Sequence, residues 1–213
     1  MMIHWMIEGG IGHLKLNQPP SNTMTMDFFR EMRDLVNKIK YAPGLKAIII
    51  HGHGRHFSSG ADINELLDNV DEQAMLENHR LFAQMEQFKI PVISAIRGVC
   101  IGSAFELALF SHFRICSEDA VLGLPESNFN LMPGIGGIQR VARLAGSAKA
   151  IEITLRGNTF PAEDALKMGL VDVVVPKGEV LPLALIFARE LPENIDIEYR
   201  AFYLHKYIKP LNA

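Results

Sequence analysis

Cysteine is scarce in this sequence of 213 residues: Cys100 and Cys116 are the two, and each lies in an apolar segment. So few cysteines argue against a disulfide framework and favour buried free thiols in a reducing compartment. No run of about 18 apolar residues is free of charge, which argues against a transmembrane helix. Residues 1–10 contain Glu8 and no basic stretch, so they predict a strand and not a signal peptide. We therefore expect a cytoplasmic protein.

An excess of charge of one sign is also missing. The formal net charge is −3, charged residues make up 21% of the sequence, and no long run of either sign occurs. This balance argues against nucleic acid or an anionic membrane as the main partner. The apolar fraction of 48% and the length are those of a globular protein that can bury one sizeable core.

Motifs for nucleotides and metals are incomplete. Gly52 and Gly54 lack the third glycine of a dinucleotide-binding fingerprint, and the interval from Gly54 to Gly60 has the wrong spacing for a Walker loop, with no lysine after it. Three histidines, at positions 51, 53 and 56, have no fourth ligand at zinc spacing, so we predict solvated loop histidines and no metal site.

Apolar periodicity predicts strands that alternate with helices after an opening hairpin. The predicted strands cover 3–7, 11–16, 46–51, 91–96, 113–117 and 170–175. The predicted helices cover 25–40, 61–67, 72–88, 103–110, 135–144, 148–155, 162–168 and 181–191. This alternation predicts an α/β fold with much parallel pairing. We expect one core domain over 1–192 and a short, more polar C-terminal tail over 193–213.

Two glycine-containing loops each run into a predicted helix. One ends at Gly60 and leads into a helix near Ala61; the other ends at Gly102 and leads into a helix at Ser103. The first amides of a helix lack internal partners and carry partial positive charge, so they can hold a developing oxyanion. Taken alone, the loop that ends at Gly60 is more simply interpreted as a plain glycine turn that enters a helix.

Two glutamates follow these loops. Glu106 lies among apolar residues on a predicted helix, where desolvation would raise its pKa and suit it to proton transfer. The alternative is a structural glutamate paired with Arg97 or Arg114, and the local sequence does not decide between them. Glu126 lies in a loop, where an exposed acid is the simpler interpretation. Two carboxylates and two sets of free amides could together polarise a carbonyl and move protons at the adjacent carbons.

Several segments in a fixed order resemble the crotonase, or enoyl-CoA hydratase/isomerase, superfamily, from the first hairpin to about residue 176. The segments are SSGADI at 58–63, PVISAI at 91–96, Gly98 with Gly102, ELA at 106–108, Pro125 with Glu126, and PGIGGIQR at 133–140. The resemblance implies a spiral of ββα units with a short C-terminal helical tail. It also implies a homotrimer or a hexamer made of two trimers.

The resemblance further implies roles for particular residues. The amides of Ala61 and Ser103 would form an oxyanion hole for a thioester carbonyl. Glu106 would activate water for attack at the β-carbon, and Glu126 would deliver the proton to the α-carbon. The path of coenzyme A would be lined by Ser59, Ala61, Asp62, Ile63 and Asn64. Coenzyme A is then part of the substrate, and no separate cofactor is expected.

The function implied is that of an enoyl-CoA hydratase-like lyase, which adds or removes water across the 2,3 double bond of an acyl-CoA through an enolate. The alternatives are a double-bond isomerase, which needs one of the two carboxylates, and a non-catalytic acyl-CoA-binding relative. An acyl group on a carrier protein could replace free coenzyme A. Ser103, Asn64 and Arg97 depart from the glycine, lysine and asparagine that are common in the family, and the C-terminus is shorter than usual.

Overall fold

A six-stranded sheet forms the centre of the computed structural model, which describes residues 1–68 and 72–190. The strands are β1 (Ile3–Glu8), β2 (Ile11–Leu16), β3 (Ala47–Gly52), β4 (Val92–Ile96), β5 (Val99–Ile101), β6 (Phe113–Ser117), β7 (Val121–Gly123), β8 (Thr159–Pro161) and β9 (Val173–Val175). The helices are α1 (Met26–Ile39), α2 (Ile63–Asp68), α3 (Glu72–Glu86), α4 (Ser103–Leu109), α5 (Gly137–Ala145), α6 (Ser147–Arg156), α7 (Ala162–Lys167) and α8 (Val180–Glu190).

The central sheet has the strand order β1-β2-β3-β4-β6-β9. Only its first pair, β1 with β2, is antiparallel; β2, β3, β4, β6 and β9 pair in parallel along the sheet. Parallel strands need a crossover between them, and helices supply it here. The predicted opening hairpin and the predicted parallel α/β pairing are both confirmed.

Helix α1 shows how the sequence pattern produces the packing. Thr25 caps it, and its Oγ1 accepts a hydrogen bond from the amide of Phe28 at 3.4 Å. The apolar residues recur every three or four positions, and this places them on one face, which is buried. The residues of that face are Phe28, Phe29, Met32, Leu35, Val36 and Ile39. Helix α1 therefore covers one side of the sheet much as its periodicity predicts.

A second, three-stranded sheet has the order β5-β7-β8. Its first strand, Val99–Ile101, lies in the segment that the sequence predicts as the loop ending at Gly102, and that prediction is wrong. Three residues are too few to show the alternation of a strand, and the pairing of β5 with β7 is a contact between distant parts of the chain. The small sheet matters for the site because Gly102 and α4 follow directly from β5.

Helix α4 runs through the interior, and every one of its residues is buried. At its C-terminal end the buried guanidinium of Arg114 donates to the carbonyl oxygen of Ser111 at 2.6 Å and forms an ion pair with Asp172 at 3.2 Å. Helix α8 packs on the opposite face of the sheet, where Phe187 contacts Phe113. The helix that carries Glu106 packs against α5 and against β5 of the small sheet.

Some local predictions are corrected by the structure. His51 belongs to β3, and Nδ1 of His56 accepts a hydrogen bond from the amide of Val99 at 3.1 Å, so solvated loop histidines are the wrong description. The predicted strand over 170–175 begins only at Val173. Cys100 and Cys116 are buried free thiols, as predicted.

None of the helices in the described ranges has both the length and the apolar character that a membrane-spanning helix requires. The predicted tail over 193–213 and the predicted domain boundary at 192 lie outside the described residues.

Candidate active site

A cavity of about 480 Å³ opens beside the N-terminus of α4. Most of its walls are apolar. The lining residues are Phe29, Ser59, Ala61, Ile63, Met75, Asn78, Ile101, Gly102, Ser103, Glu106, Pro125, Glu126, Asn128, Phe129, Asn130, Leu131, Met132, Gly134 and Ile135. Concave, mostly apolar sites with a few convergent polar groups are typical of small-molecule binding.

Ala61 lies in extended backbone, two residues before α2, and not at the helix start that the sequence predicts. It forms a parallel bridge with Met24, whose amide donates to the carbonyl of Gly60 at 2.8 Å and whose carbonyl accepts from Asp62 at 3.1 Å. In such a bridge the N–H of the facing residue points to the other side. The Ala61 amide therefore faces away from Met24, towards the cavity.

Ser103 is the first residue of α4, as predicted. Gly102 caps the helix, and its amide donates to the carbonyl of Gly123 at 2.9 Å in the small sheet. The amide of the first residue in a helix has no carbonyl one turn earlier to accept its hydrogen bond. Ser103 lines the cavity, so its N–H is available there.

Backbone contact brings these two amides close together. The amide of Ser58 donates to Val99 at 3.0 Å, and the amide of Ile101 donates back to Ser58 at 3.3 Å. Gly60 has a φ of +85°, and a β-carbon on it would lie 2.6 Å from the carbonyl oxygen of Ile101 and 3.2 Å from the nitrogen of Ser103. Only glycine fits such a backbone approach. Ala61 and Ser103 consequently follow two segments that are in direct contact.

Glu106 is 1% exposed and points at the glycine-rich turn before α5. Its Oε1 accepts hydrogen bonds from the amides of Ile135 at 3.0 Å and Gly137 at 2.8 Å. Burial raises the pKa of Glu106, and the hydrogen bonds from the turn oppose that rise. The alternative of a structural pair with arginine is wrong, since Arg114 pairs with Asp172 and Arg97 donates to the carbonyl of Gly54.

Glu126 begins a 3₁₀ turn, Glu126–Phe129, on the other side of Gly102. A β-carbon at Gly102 would lie 3.3 Å from its Oε1. Within residues 1–68 and 72–190, its buried Oε2 has no hydrogen-bond partner. Burial and the charge of Glu106 raise the pKa of Glu126 to about 8. The predicted exposed loop acid is therefore a half-buried carboxyl group that faces Glu106 across one cavity.

The predicted coenzyme A residues divide into two groups. Ser59, Ala61 and Ile63 line the cavity. Asp62 does not; its Oδ1 accepts from the amides of Asn64 at 2.9 Å and Glu65, which caps the start of α2. Asn64 is exposed and also lies outside the cavity lining. The first group can contact a ligand directly, while Asp62 fixes the helix that follows.

Sequence reasoning missed the residues that hold Glu106. The segment 133–140 was recognisable by its glycines, yet nothing in its composition shows that two of its amides converge on a carboxylate on α4. The residues on α1 and α3 that line the cavity were also missed, because an apolar face predicts core packing equally well. Among the residues that the structure describes, no group of three or more histidine, cysteine, aspartate or glutamate side chains could hold a metal ion.

Comparison with known proteins finds relatives of this chain in one enzyme family. The sequence model of the enoyl-CoA hydratase/isomerase family matches residues 6–208. A probable enoyl-CoA hydratase of Bacillus subtilis is 36% identical over 204 residues, which are 91% of this chain and 78% of that protein. The fatty acid oxidation complex subunit alpha of Shewanella amazonensis is 38% identical over 190 residues, 85% of this chain but only 27% of that much longer protein.

The fold agrees with these sequence matches. The crystal structure of an enoyl-CoA hydratase from Bacillus anthracis superposes with a TM-score of 0.83 at 31% identity, covering 89% of this chain and 76% of that one. The predicted crotonase-like α/β fold is thereby confirmed. With a family match over nearly the whole sequence and a matching fold, the chain belongs to the enoyl-CoA hydratase/isomerase family.

Proposed function

We propose that this enzyme adds water across the 2,3 double bond of an enoyl-CoA thioester, and removes it in the reverse direction. The observation that carries the proposal is the presence of two carboxyl groups, Glu106 and Glu126, in one apolar cavity beside the amides of Ala61 and Ser103. The membership of the family and the name of the Bacillus subtilis relative support an acyl-CoA substrate.

The thioester carbonyl would accept hydrogen bonds from the amides of Ala61 and Ser103. Negative charge develops on that oxygen when a nucleophile attacks the β-carbon, and fixed amide donors in a largely apolar site stabilise such a charge. Because Gly60 and Ile101 hold the two segments against each other, the donors need no rearrangement when the charge develops.

Burial raises the pKa of both glutamates, and we assign the proton to Glu126 because the two differ in their hydrogen bonds. Oε1 of Glu106 accepts two amide hydrogen bonds, which favour its carboxylate form. Glu126 has a buried oxygen with no protein donor among the described residues and a pKa of about 8, so it keeps its proton at neutral pH. Two nearby carboxyl groups with unequal environments divide the roles of base and acid between them.

The reaction then follows from these protonation states. Glu106 takes a proton from water, and the resulting hydroxide forms a bond to the β-carbon. The electron pair of the double bond moves onto the thioester oxygen as an enolate held by Ala61 and Ser103. Glu126 gives its proton to the α-carbon, the enolate collapses to the thioester, and a proton passes from Glu106 back to Glu126.

Binding of coenzyme A would use Ser59, Ala61 and Ile63, with Asp62 and Asn64 at the entrance. Ser59 Oγ lies 3.1 Å from Thr23 Oγ1, and this hydroxyl pair can meet the amide groups of a pantetheine arm. An acyl group carried by a carrier protein presents the same arm. No separate cofactor is needed for this chemistry, and we propose that it takes place in the cytoplasm.

We also propose that the enzyme assembles as a homotrimer or as a pair of trimers. Ile151 and Leu155 lie one turn apart on α6 and are 58% and 69% exposed. Large apolar side chains exposed together on one helix face support a subunit contact there.

The test is turnover of a panel of enoyl-CoA thioesters, followed by the loss of absorbance of the conjugated thioester. Glu106→Gln and Glu126→Gln should each lower the rate of hydration by about a hundredfold to ten-thousandfold, the usual loss for a general acid or base. Glu163→Gln, on the exposed surface of α7, is the matched control and should keep full activity.

Three results would contradict the proposal. If Glu106→Gln hydrates as fast as the wild type, the mechanism with two glutamates is wrong. If one glutamate alone matters and double-bond migration is faster than hydration, the enzyme is an isomerase. If the wild type binds acyl-CoA but converts no enoyl thioester, the chain is a binding relative without catalytic activity.

A further inference from the structure

The glycine-rich turn that holds Glu106 is itself held from its outer side. His79, on α3, lies with Nδ1 2.8 Å from the carbonyl oxygen of Ile135. Because a carbonyl oxygen can only accept, Nδ1 is the nitrogen that carries the proton. Nη1 of Arg140, on α5, donates to the carbonyl oxygen of Gly136 at 3.3 Å. Both side chains therefore donate to carbonyl oxygens of the turn whose amides bind Glu106.

The hydrogen bonds of Glu106 and those of His79 and Arg140 involve the same short stretch of backbone. The peptide unit that joins Gly136 to Gly137 accepts from Arg140 at its oxygen and donates to Glu106 through its nitrogen. The peptide unit that joins Ile135 to Gly136 accepts from His79 at its oxygen, and its nitrogen, that of Gly136, also favours the Glu106 carboxylate. Hydrogen bonds in a chain polarise one another, so a donor on the carbonyl strengthens the amide that faces the carboxylate.

Crowding around Gly136 shows how closely the two side chains approach the turn. A β-carbon on Gly136 would lie 2.7 Å from Nδ1 of His79 and 2.9 Å from Nη1 of Arg140. Arg140 also pairs with Glu86 on α3 and stacks over the ring of Phe110. The His79 ring contacts Phe110 edge-on, with the ring centroids 5.8 Å apart.

Phe110 caps the C-terminus of α4, the helix that carries Glu106. The pair His79 and Arg140 consequently connects α3, the glycine turn and α4 at one point. Neither side chain lines the cavity. Their contacts are with the backbone that orients the carboxylate, and not with the space that a substrate would fill.

We propose that His79 and Arg140 are positioning residues, which fix the amides of Ile135 and Gly137 so that Glu106 is held as an oriented carboxylate. This inference rests on the proposed role of Glu106 as the base. In the part of the chain that the structure describes, the charged groups that act on the Glu106 carboxyl group are Glu126 from the 3₁₀ turn and Arg140 from α5, while His79 from α3 contacts the backbone of the turn. Loss of the amide donors removes the hydrogen bonds that favour the carboxylate, so the pKa of Glu106 rises further.

Variants can separate the hydrogen bond from the packing. His79→Phe keeps a ring beside Phe110 but removes the donor, whereas His79→Asn keeps an N–H close to the position of Nδ1. Arg140→Leu removes the donor to Gly136, and Arg80→Leu, the exposed neighbour of His79 on α3, is the control. The kinetic readout is kcat and KM for an enoyl-CoA thioester as a function of pH.

We expect His79→Phe and Arg140→Leu to lower kcat by about ten- to a hundredfold, with little change in KM. A displacement of a reacting group by about 1 Å can lower the rate by about a hundredfold. The acid limb of the kcat profile should move to higher pH in both. His79→Asn should recover most of the loss, and Arg80→Leu should behave as the wild type. Equal losses in His79→Asn and His79→Phe would mean that His79 acts through packing alone, and would overturn the inference.

A second readout does not depend on catalysis. In a Glu126→Gln background, infrared spectroscopy can follow the carbonyl band of the protonated, buried Glu106 as the pH is raised. Adding His79→Phe should move the disappearance of that band to higher pH. If the band titrates unchanged, the positioning role is wrong even where the wild type is an active hydratase. If the wild type hydrates no thioester but the band moves, the positioning role stands and the proposed function fails.

Discussion

Glu106 and Glu126 share one cavity and differ in the groups that contact them. Glu106 is almost fully buried, and two backbone amides stabilise its charge. Glu126 is only half-buried, yet its inner oxygen has no donor in the described part of the chain. At the scale of single residues, the proposed division between acid and base therefore depends on hydrogen bonding more than on exposure, because hydrogen bonds to the charged form lower a carboxyl pKa that burial raises.

The raised pKa of Glu126 predicts how stability depends on pH. The folded carboxyl group keeps its proton up to about pH 8, whereas the ordinary pKa is 4.5. Between these two pH values the folded state holds a proton that the unfolded state has lost. The stabilising contribution of Glu126 to the free energy of unfolding is therefore fully present below pH 4.5 and is lost as the pH rises through about 8.

In Glu126→Gln this loss of stability at higher pH should disappear, because the glutamine side chain does not ionise. Urea unfolding of the wild type and the variant at about pH 5.5 and about pH 8.5 would show the variant gaining in relative stability at the higher pH. Glu163→Gln, a surface glutamate, is the control for removal of one carboxyl group. A stability difference between wild type and Glu126→Gln that stays constant with pH would show that Glu126 ionises normally in the folded state.

The glycine-rich turn before α5 lies very close to Glu106, and this predicts the effect of a substitution at Gly137. A β-carbon on Gly137 would lie 2.7 Å from Cγ of Glu106. Gly137→Ala should therefore displace the carboxylate, lower the free energy of unfolding by about 1–3 kcal/mol through overpacking, and lower kcat by about a hundredfold.

The matched control is Gly178→Ala, because a β-carbon there would meet open space. That variant should keep both activity and stability. Gly137→Ala with wild-type kcat would mean that the backbone can shift without moving the carboxylate, or that Glu106 is not the base.

At the scale of elements, the sequence predicts the long segments well and the short ones poorly. Helix α1 has a clear pattern of about 3.6 residues and lies where that pattern places it, and the hairpin and the apolar helix α4 also lie where they are predicted. Strands β7 and β8 were not predicted, because three residues show no period and their pairing joins residues far apart in sequence. Contacts between distant segments, and not local propensity, create these strands.

The same distinction applies to the site. Gly102 and Ser103 are adjacent in sequence, so the start of α4 is visible as a local signal. Ala61 instead pairs with Met24, a contact that local sequence does not show, and its amide faces the cavity from extended backbone. The sequence could predict that the two glutamates are candidate catalytic groups, but it could not predict the groups that contact them. The amides that bind Glu106 come from a turn 29 and 31 residues further along the chain.

Strands β6 and β9 are joined by a buried ion pair that supports α4. Arg114 is 1% exposed, and it contacts both Asp172 and the carbonyl oxygens at the end of α4. Asp172→Ala would remove a carboxylate that pairs with a buried guanidinium, so we expect the free energy of unfolding to fall by about 3–5 kcal/mol. Chemical denaturation measures this directly.

A surface ion pair provides the comparison. Asp27 and Arg30 are exposed on α1, and Asp27→Ala should cost less than about 1 kcal/mol. If Asp172→Ala costs as little as Asp27→Ala, water or another group solvates Arg114, and the pair does not support α4 in the way described.

At the scale of the whole molecule, α6 presents an apolar face to solvent. Burying a leucine side chain contributes about 1.5–3 kcal/mol, so a contact between subunits through Ile151 and Leu155 would be sensitive to a charge there. We expect Leu155→Lys to shift the proposed trimer towards monomers, as measured by light scattering at micromolar concentration.

Tyr41→Lys is the control, because Tyr41 is 79% exposed and lies in the loop after α1. That variant should keep the mass of the wild type. A wild type that scatters as a monomer, or a Leu155→Lys variant that remains a trimer, would contradict the proposed use of this face.

The bridge between Ser58 and Cys100 has a consequence for how fast individual amide protons exchange with solvent. The amides of Ser58 and Ile101 are hydrogen-bonded across buried backbone, so they should exchange only when the two segments separate. The amides of Ala61 and Ser103, two or three residues further along, face the cavity and should exchange quickly. A deuterium-labelling experiment would therefore find slow and fast positions almost side by side, and a bound thioester would slow Ala61 and Ser103 while leaving Ser58 and Ile101 unchanged.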